Sequence, residues 1–507
     1  MDLYLGVEFG STRIKAVAID SSHAVVTSGD HTWASKYENN VWTYSLDAIW
    51  GGLKDALSQL QHRDEIMAMG LSAMMHGYLA FDKDWNLLVP FRTWQNTMTG
   101  QAAAELSELF HFNIPQRWSI AHLYQAVLNN EPHIQKLAHI TTLAGYVHFM
   151  LTGENVVGVG EGSGIFPLDY ASLDYDAEML EKFSALIADR HLPWSVRDLL
   201  PDIRLAGQCA GTLTPDGAAR LDGLLPVGIR FAPPEGDAET GMVATNAVAP
   251  RTGNVSAGTS IFSMVVLEKP LEKVYPEIGV VATPGGKPVA MVHCRNCTSD
   301  MNRWVALMKD VFSLFGQAPD DGDLFTKLYM ASLSGAPDCG GITICNYLTG
   351  ESVPHLDSGR PLVVRGTDAD FSLPNFMRAQ LYSTMVTLSI GMKLMEDEHI
   401  RIDSLTGHGG LFKTPIVGQR LLAAALETPI TVMDTADSGG SWGMAILASY
   451  MCSGGSMSLE DFLNSCVFNG IYSTTISPDP VDVAGFRAYR ERYESLLDLE
   501  RRAIELF

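Results

Sequence analysis

Two short hairpin patterns, about 245 residues apart, constrain the fold of this chain more than any other feature. The first joins Leu3 to Phe9 (LYLGVEF) and Ile14 to Ile19 (IKAVAI), both rich in apolar and β-branched residues, across Gly10-Ser11-Thr12. Two apolar runs around a glycine-led turn predict an antiparallel hairpin whose turn exposes backbone N–H groups and hydroxyls. The second joins Asn254-Val255-Ser256-Ala257 to the apolar run Ile261 to Leu267 across Gly258-Thr259-Ser260. At 507 residues the chain exceeds what one hydrophobic core usually organises. Two α/β lobes of related construction are therefore expected, with chance likeness between short Gly/Ser/Thr turns as the open alternative. The breaker clusters Pro233-Pro234-Glu235-Gly236 and Pro250-Arg251-Thr252-Gly253 place the boundary between lobes 1–248 and 249–507.

Between and beyond the hairpins, helical spacing of apolar residues predicts helices over 46–60, 101–109, 122–128, 376–395, 417–426, 458–463 and 483–506. No low-complexity segment or long linker interrupts them.

Charge and cysteine usage narrow the setting. A formal net charge of −23 repels phosphate backbones and anionic lipid, so no nucleic acid and no membrane partner is expected. Seven cysteines without framework spacing, no basic leader before MDLYLGVEFG and no apolar stretch near ~18 residues point to a cytoplasmic protein. The run His293-Cys294-Arg295-Asn296-Cys297 contains C-x-x-C, yet no second ligand pair follows, so incidental cysteines are favoured over a zinc or redox site. Neither a P-loop nor a dinucleotide fingerprint is present.

The Gly10-Ser11-Thr12 turn allows a phosphate to approach the backbone closely, and a nearby acid can position a hydrated magnesium ion. A plain structural turn is the competing reading. The whole segment G-V-E-F-G-S-T-R-I-K resembles the phosphate-1 motif of the FGGY carbohydrate kinases, members of the actin/hexokinase superfamily, with Glu8 where the family has Asp. Further similar runs follow in the family's order. Ser72-Ala73-Met74-Met75-His76-Gly77 resembles the Gln-Met-His-Gly run of the xylulokinase branch. Thr93-Trp94-Gln95-Asn96-Thr97-Met98 stands where relatives read Trp-Asn-Asp-Gly-Arg, with Asn96 at the Asp and Met98 at the Arg. Ser119 to Gln125, with His122, occupies the place of a family lysine. Tyr347-Leu348-Thr349-Gly350-Glu351-Ser352-Val353-Pro354-His355-Leu356-Asp357 is close to Y-L-x-G-E-R-x-P-x-x-D, and Asp437 to Ala448 resembles the closing small-residue helix.

The resemblance implies an actin-like ATPase (ribonuclease H-like) fold, two lobes with an interlobe cleft, and ATP with Mg2+. It implies phosphorylation of a sugar hydroxyl, with a ketose such as D-xylulose as the expected acceptor. Met75, His76, Trp94 and Asn96 would face the sugar. Gly10, Ser11, Thr12 and Lys15, with Gly258, Thr259 and Ser260, would hold the phosphates. Gly407, Gly409 and Gly410 would approach the nucleoside, and Glu8 would serve the metal. Asp237, in Pro234-Glu235-Gly236-Asp237-Ala238-Glu239, would be the general base, with Glu239 the competing carboxylate. A nucleotide-binding regulatory protein without kinase activity, an FGGY kinase for another ketose or polyol, and a filament-forming actin relative are the rival expectations; a homodimer is compatible with each.

Overall fold

The computed structural model describes residues 2–317, 319–435, 439–454 and 457–507. Strands β1 (Leu3–Phe9), β2 (Arg13–Ile19), β3 (Val25–Thr32), β4 (Ile66–Ala73) and β5 (Arg230–Phe231) form one sheet in the order β5-β4-β1-β2-β3, with β6 (Glu235–Gly236) also paired to β4. β1 is antiparallel to β2 and parallel to β4, so β2 alone runs against its neighbours. Helix α1 (Asp237–Ala244) leaves β6 directly.

The second sheet repeats this plan. Its strands are β7 (Thr252–Ala257), β8 (Ile261–Val266), β9 (Ile278–Ala282), β10 (Pro288–Cys294), β11 (Ser404–His408), β12 (Ile430–Met433) and β13 (Ser473–Ile476), in the order β9-β10-β8-β7-β11-β12-β13. β7 is antiparallel to β8 and parallel to β11, which is parallel to β12. The five central strands of this sheet therefore match those of the first in order and direction. The duplicated hairpins are the β1–β2 and β7–β8 pairs of two equivalent lobes, and the likeness of their turns is architectural.

Further helices are α2 (Thr298–Leu314), α3 (Gly439–Cys452) and α4 (Pro480–Leu506). The helix expected over 376–395 is instead two, Leu373–Ser383 and Val386–Lys393. At the break, the hydroxyls of Ser383 and Thr384 donate to the carbonyls of Gln380 and Leu381, each over 2.7 Å, a back-bonding habit that bends helices. Asp437 and Ser438 lie outside the described residues; Gly439 to Ala448 are helical, as their likeness to a closing helix implied.

Helix α3 comes late in the chain yet packs on the first sheet. A Cβ on Gly6 of β1 would stand 2.0 Å from the carbonyl oxygen of Ser441, and one on Gly443 would stand 2.1 Å from that of Thr240 in α1. Only backbone without side chains fits there, so α3, β1 and α1 meet at glycine contacts. One buried apolar cluster runs through this junction from Val17 and Met242 to Met264, Met444 and Met291, so both lobes share it. No described helix is long and apolar enough to cross a membrane.

Candidate active site

The β1–β2 turn is braced from outside by aromatic side chains. Trp33 Nε1 donates to the Gly10 carbonyl (2.7 Å), the Tyr44 hydroxyl to the Ser11 carbonyl (2.6 Å), and Trp94 Nε1 to Ser11 Oγ (3.3 Å). Trp94, expected against a sugar, thus also supports the turn. Just before the turn, Glu8 lies opposite Lys15 of β2 and Ser72 of β4. Its Oε2 accepts the backbone N–H of Ser441 in the first turn of α3 (3.0 Å).

Asp237 is the first residue of α1, where an anion is favoured by the helix dipole. Its side chain is partly exposed, and its Oδ1 accepts the backbone N–H of Met75 (3.0 Å). Burial pushes its carboxyl up to about 6, against the lowering pull of the Met75 and Ala238 N–H groups. Glu8 is pushed up to about 7, first by burial and then by the charge of Asp237. The carboxylates proposed for metal and for base are therefore neighbours that repel each other.

His76 follows Met75 in the left-handed region (φ 69°), and Gly77 (φ 100°) completes the turn, where a Cβ would strike the Arg92 carbonyl at 2.8 Å. The His76 ring lies 6.0 Å from that of Trp118, stacked, with Nδ1 3.4 Å from the Gly164 carbonyl. Burial holds the imidazole neutral, well below its usual range. Met75 and His76 both press on Gly164, where a Cβ would meet Met75 Cε at 2.7 Å and His76 Nδ1 at 2.6 Å.

Asn96 is committed elsewhere. Its Nδ2 donates to the carbonyls of Trp42 and Thr93 (both 2.9 Å) and its Oδ1 accepts the Trp42 N–H (2.9 Å), so the amide clamps the 41–43 strand. One lone pair of Oδ1 is left for any other donor. Met98 is 38% exposed. His122 is fully buried against Tyr78 and held down to about 3 by burial and the nearby Arg92, so it is an uncharged core residue.

In the second lobe, Gly258-Thr259-Ser260 is pinned from behind. Thr298 donates its N–H (3.2 Å) and its hydroxyl (2.8 Å) to the Gly258 carbonyl, and the Cys297 N–H reaches the Thr259 carbonyl (3.0 Å). Space beside Gly258 is open for at least 4 Å where a Cβ would point. The adjacent strand carries Gly407 and His408 opposite Val255 and Ser256, so the turns 258–260 and 407–410 share one edge of the sheet. Gly409 needs its left-handed backbone (φ 98°), and a Cβ there would lie 2.5 Å from the Ala257 carbonyl.

Glu351 of the Tyr-Leu-Thr-Gly-Glu run is 1% exposed and accepts from the N–H and Nδ2 of Asn296 (3.1 and 3.0 Å), while Asn296 Oδ1 accepts the N–H groups of Leu348 and Thr349. This network holds the 294–298 segment that braces the 258–260 turn. Cys294 and Cys297 in that segment are buried, and burial raises both thiols, Cys297 to about 12, which leaves them protonated. Among the described residues no group of three or more His, Cys, Asp or Glu is placed to hold a metal ion.

A feature that sequence reasoning missed lies behind Asp237. Glu161, Glu235 and Glu239 are each no more than 1% exposed, and Glu235 Oε2 accepts the Glu161 N–H at 2.8 Å. Burial and mutual repulsion push all three carboxyls well above the usual range, favouring their neutral forms. Glu239, the rival base, is fully buried, whereas Asp237 is only partly so. Only the fold brings Glu161 beside the other two.

Paired sheets of this topology, a glycine-rich turn on each and a partly exposed carboxylate at a helix start define a two-lobed kinase with an actin-like nucleotide cleft. The description of the FGGY family of carbohydrate kinases matches residues 3–243 with its N-terminal domain and 253–452 with its C-terminal domain, and the chain belongs to that family. It is a carbohydrate kinase with ATP as phosphoryl donor. A xylulose kinase of Haemophilus influenzae is 22% identical, covering 97% of this chain and 98% of its own. The structure of a xylulose kinase from Lactobacillus acidophilus superposes with a TM-score of 0.81 at 16% identity, over 98% of this chain and 99% of that one. A gluconate kinase from the same organism superposes with a TM-score of 0.80 at 16% identity, over 98% of each chain.

Proposed function

We propose that this protein transfers the γ-phosphoryl group of ATP to a hydroxyl of a ketose, with Asp237 as general base. D-xylulose is the reference substrate, on the strength of the relatives' names. The observation that carries the reading is the placement of Asp237: it is partly exposed, held at 3.0 Å by the Met75 N–H, and next in the chain of contacts to His76. A carboxylate pushed up to about 6 is still ionised at neutral pH and is a better proton acceptor than an ordinary aspartate.

In this reading the sugar lies against Met75, His76 and Trp94, with Asn96 beside them. Asp237 takes the hydroxyl proton as the oxygen attacks phosphorus. The turns 10–12, with Lys15, and 258–260 orient the phosphates through backbone N–H groups and hydroxyls. Of the glycines assigned to the nucleoside, Gly410 has open space beside it, whereas Gly407 and Gly409 are required by the Phe412 ring and the Ala257 carbonyl packed against them. Closure of the lobes excludes water, which protects ATP from hydrolysis.

The residues fit a magnesium ion. Glu8 and Asp237 are two oxygen-donor carboxylates whose repulsion a divalent cation relieves, and Mg2+ keeps several water and phosphate ligands of its own. Glu8 would hold it through water, and the ion would neutralise charge on the phosphate oxygens.

Sugar-dependent ADP release, measured across pentuloses, hexuloses and polyols, tests this reading. Release with at least one ketose supports it. ATP-dependent thermal stabilisation with no turnover on any sugar would favour a nucleotide-binding regulator instead.

A further inference from the structure

Helix α2, which braces the 258–260 turn, leaves much of its own length unpacked. Its buried residues, Thr298, Asp300, Met301 and Val305, all lie in the first half. Trp304 is half-buried, its ring edge-on to that of Phe376 with centroids 5.1 Å apart. From Ala306 to Leu314 no residue is buried, yet these turns are not polar. Leu307 is 54% exposed, Leu314 83%, and Phe315, just past the last turn, 78%. An apolar surface of this size on one helix marks a contact with another macromolecule.

The apolar residues keep a seven-residue repeat. Trp304 and Val311 are one repeat apart, as are Leu307 and Leu314, and Met308 and Phe315. Positions 304, 307, 311 and 314 fall on one helix face as the a and d residues of two heptads, with 308 and 315 at e. That is the seam of a coiled coil whose second helix is missing.

Charge identifies the second helix. The g positions beside the seam hold Arg303 and Asp310, both exposed and opposite in sign. In an antiparallel pair g faces g. Two copies of α2 related by a two-fold axis near residues 306–307 therefore set Arg303 of one protomer against Asp310 of its partner, twice over. A parallel pair would set g against e, where this helix carries Met308 and Phe315, and no charges would meet. Lys309, the other charge in these turns, is paired with Asp321 of the next helix in its own chain.

We propose that this face of α2 is a self-association surface. Two copies of the chain pair through antiparallel α2 helices, with Trp304, Leu307, Val311 and Leu314 in the seam and Arg303 and Asp310 at its rim. The first residue of each helix, Thr298, holds the Gly258 carbonyl, so the pair joins the elements that brace the two 258–260 turns. None of the seam or rim residues belongs to the proposed reaction.

Sedimentation velocity of the full chain over a dilution series tests the surface. The chain should dimerise with a dissociation constant below about 50 μM. Leu307→Glu places a charge in the seam and should weaken the dimer on the order of 100-fold, while an unchanged unfolding midpoint shows that the single chain still folds. Arg303→Asp and Asp310→Arg should each weaken it on the order of 10-fold by setting like charges together. Mixing these two variants, or joining both changes in one chain, should restore it. A chain still monomeric at about 50 μM overturns self-pairing and gives the stripe to another occupant. A dimer indifferent to Leu307→Glu places association on another face, and charge reversals without effect or without mutual rescue overturn the antiparallel pairing.

Discussion

The backbone N–H of Met75 donates to Oδ1 of Asp237 across 3.0 Å, tying the strand-end loop that presents His76 to the first residue of helix α1. This bond fixes the loop proposed to face the sugar directly to the proposed base. Burial nonetheless raises the carboxyl to about 6, closer to neutrality than an ordinary aspartate.

A pH dependence follows from that value. The protonated carboxyl cannot accept a proton, so kcat/KM should be level near pH 8 and fall as pH drops through about 6. A pH–rate profile on any accepted sugar measures it. A profile that stays flat to the range of ordinary aspartates would contradict the assignment of this group.

Glu8 should report on the metal. Replacing it with Gln keeps an acceptor for the Ser441 N–H but removes the charge that repels Asp237. In Glu8→Gln the magnesium concentration for half-maximal velocity should rise on the order of 10-fold, and kcat should drop, as expected when a positioning carboxylate is lost. Titration of velocity against magnesium reads both.

The buried glutamates make a stability prediction with a definite sign. Their folded-state affinities for protons exceed those of the unfolded chain, so their contribution is fully present below the unfolded value and is lost as pH rises through the folded one. Stability should therefore decline toward alkaline pH with a slope of up to about 1.4 kcal/mol per pH unit for each group. Glu239→Gln, which imitates the neutral form, should unfold at higher urea than the parent at pH 8 and close to it at pH 5. Equal shifts at both values would remove the carboxyls from this explanation.

Packing of the late helix on the first sheet is tested at Gly443. An added methyl group there meets the Thr240 carbonyl at 2.1 Å, so Gly443→Ala should lower stability by about 1–3 kcal/mol in urea unfolding. Gly241, in the same helix as Thr240, has open space within 4 Å, and Gly241→Ala should hold or raise stability.

The hairpins were readable because strands β1, β2, β7 and β8 carry dense local patterns of apolar residues around Gly-led turns. Asp237 and the glycines of 407–410 were named through motif likeness alone, and the contacts now give them physical surroundings. Asn96 shows the limit: its place in a motif named a residue, while the Trp42 backbone groups that engage both ends of its amide belong to a segment over fifty residues away. Glu161 carried no local signal, because what matters about it is a partner far along the chain. The break near Ser383 was hidden in an unbroken apolar period, since hydroxyl back-bonding leaves that period intact.

The central claim is tested most directly by the turnover of Asp237→Asn, which keeps shape and the bond from the Met75 N–H but cannot take a proton. With an accepted sugar, kcat should fall by about 10²- to 10⁴-fold while calorimetry finds ATP bound as before. Sugar phosphate formed at the rate of the unaltered protein would contradict the account.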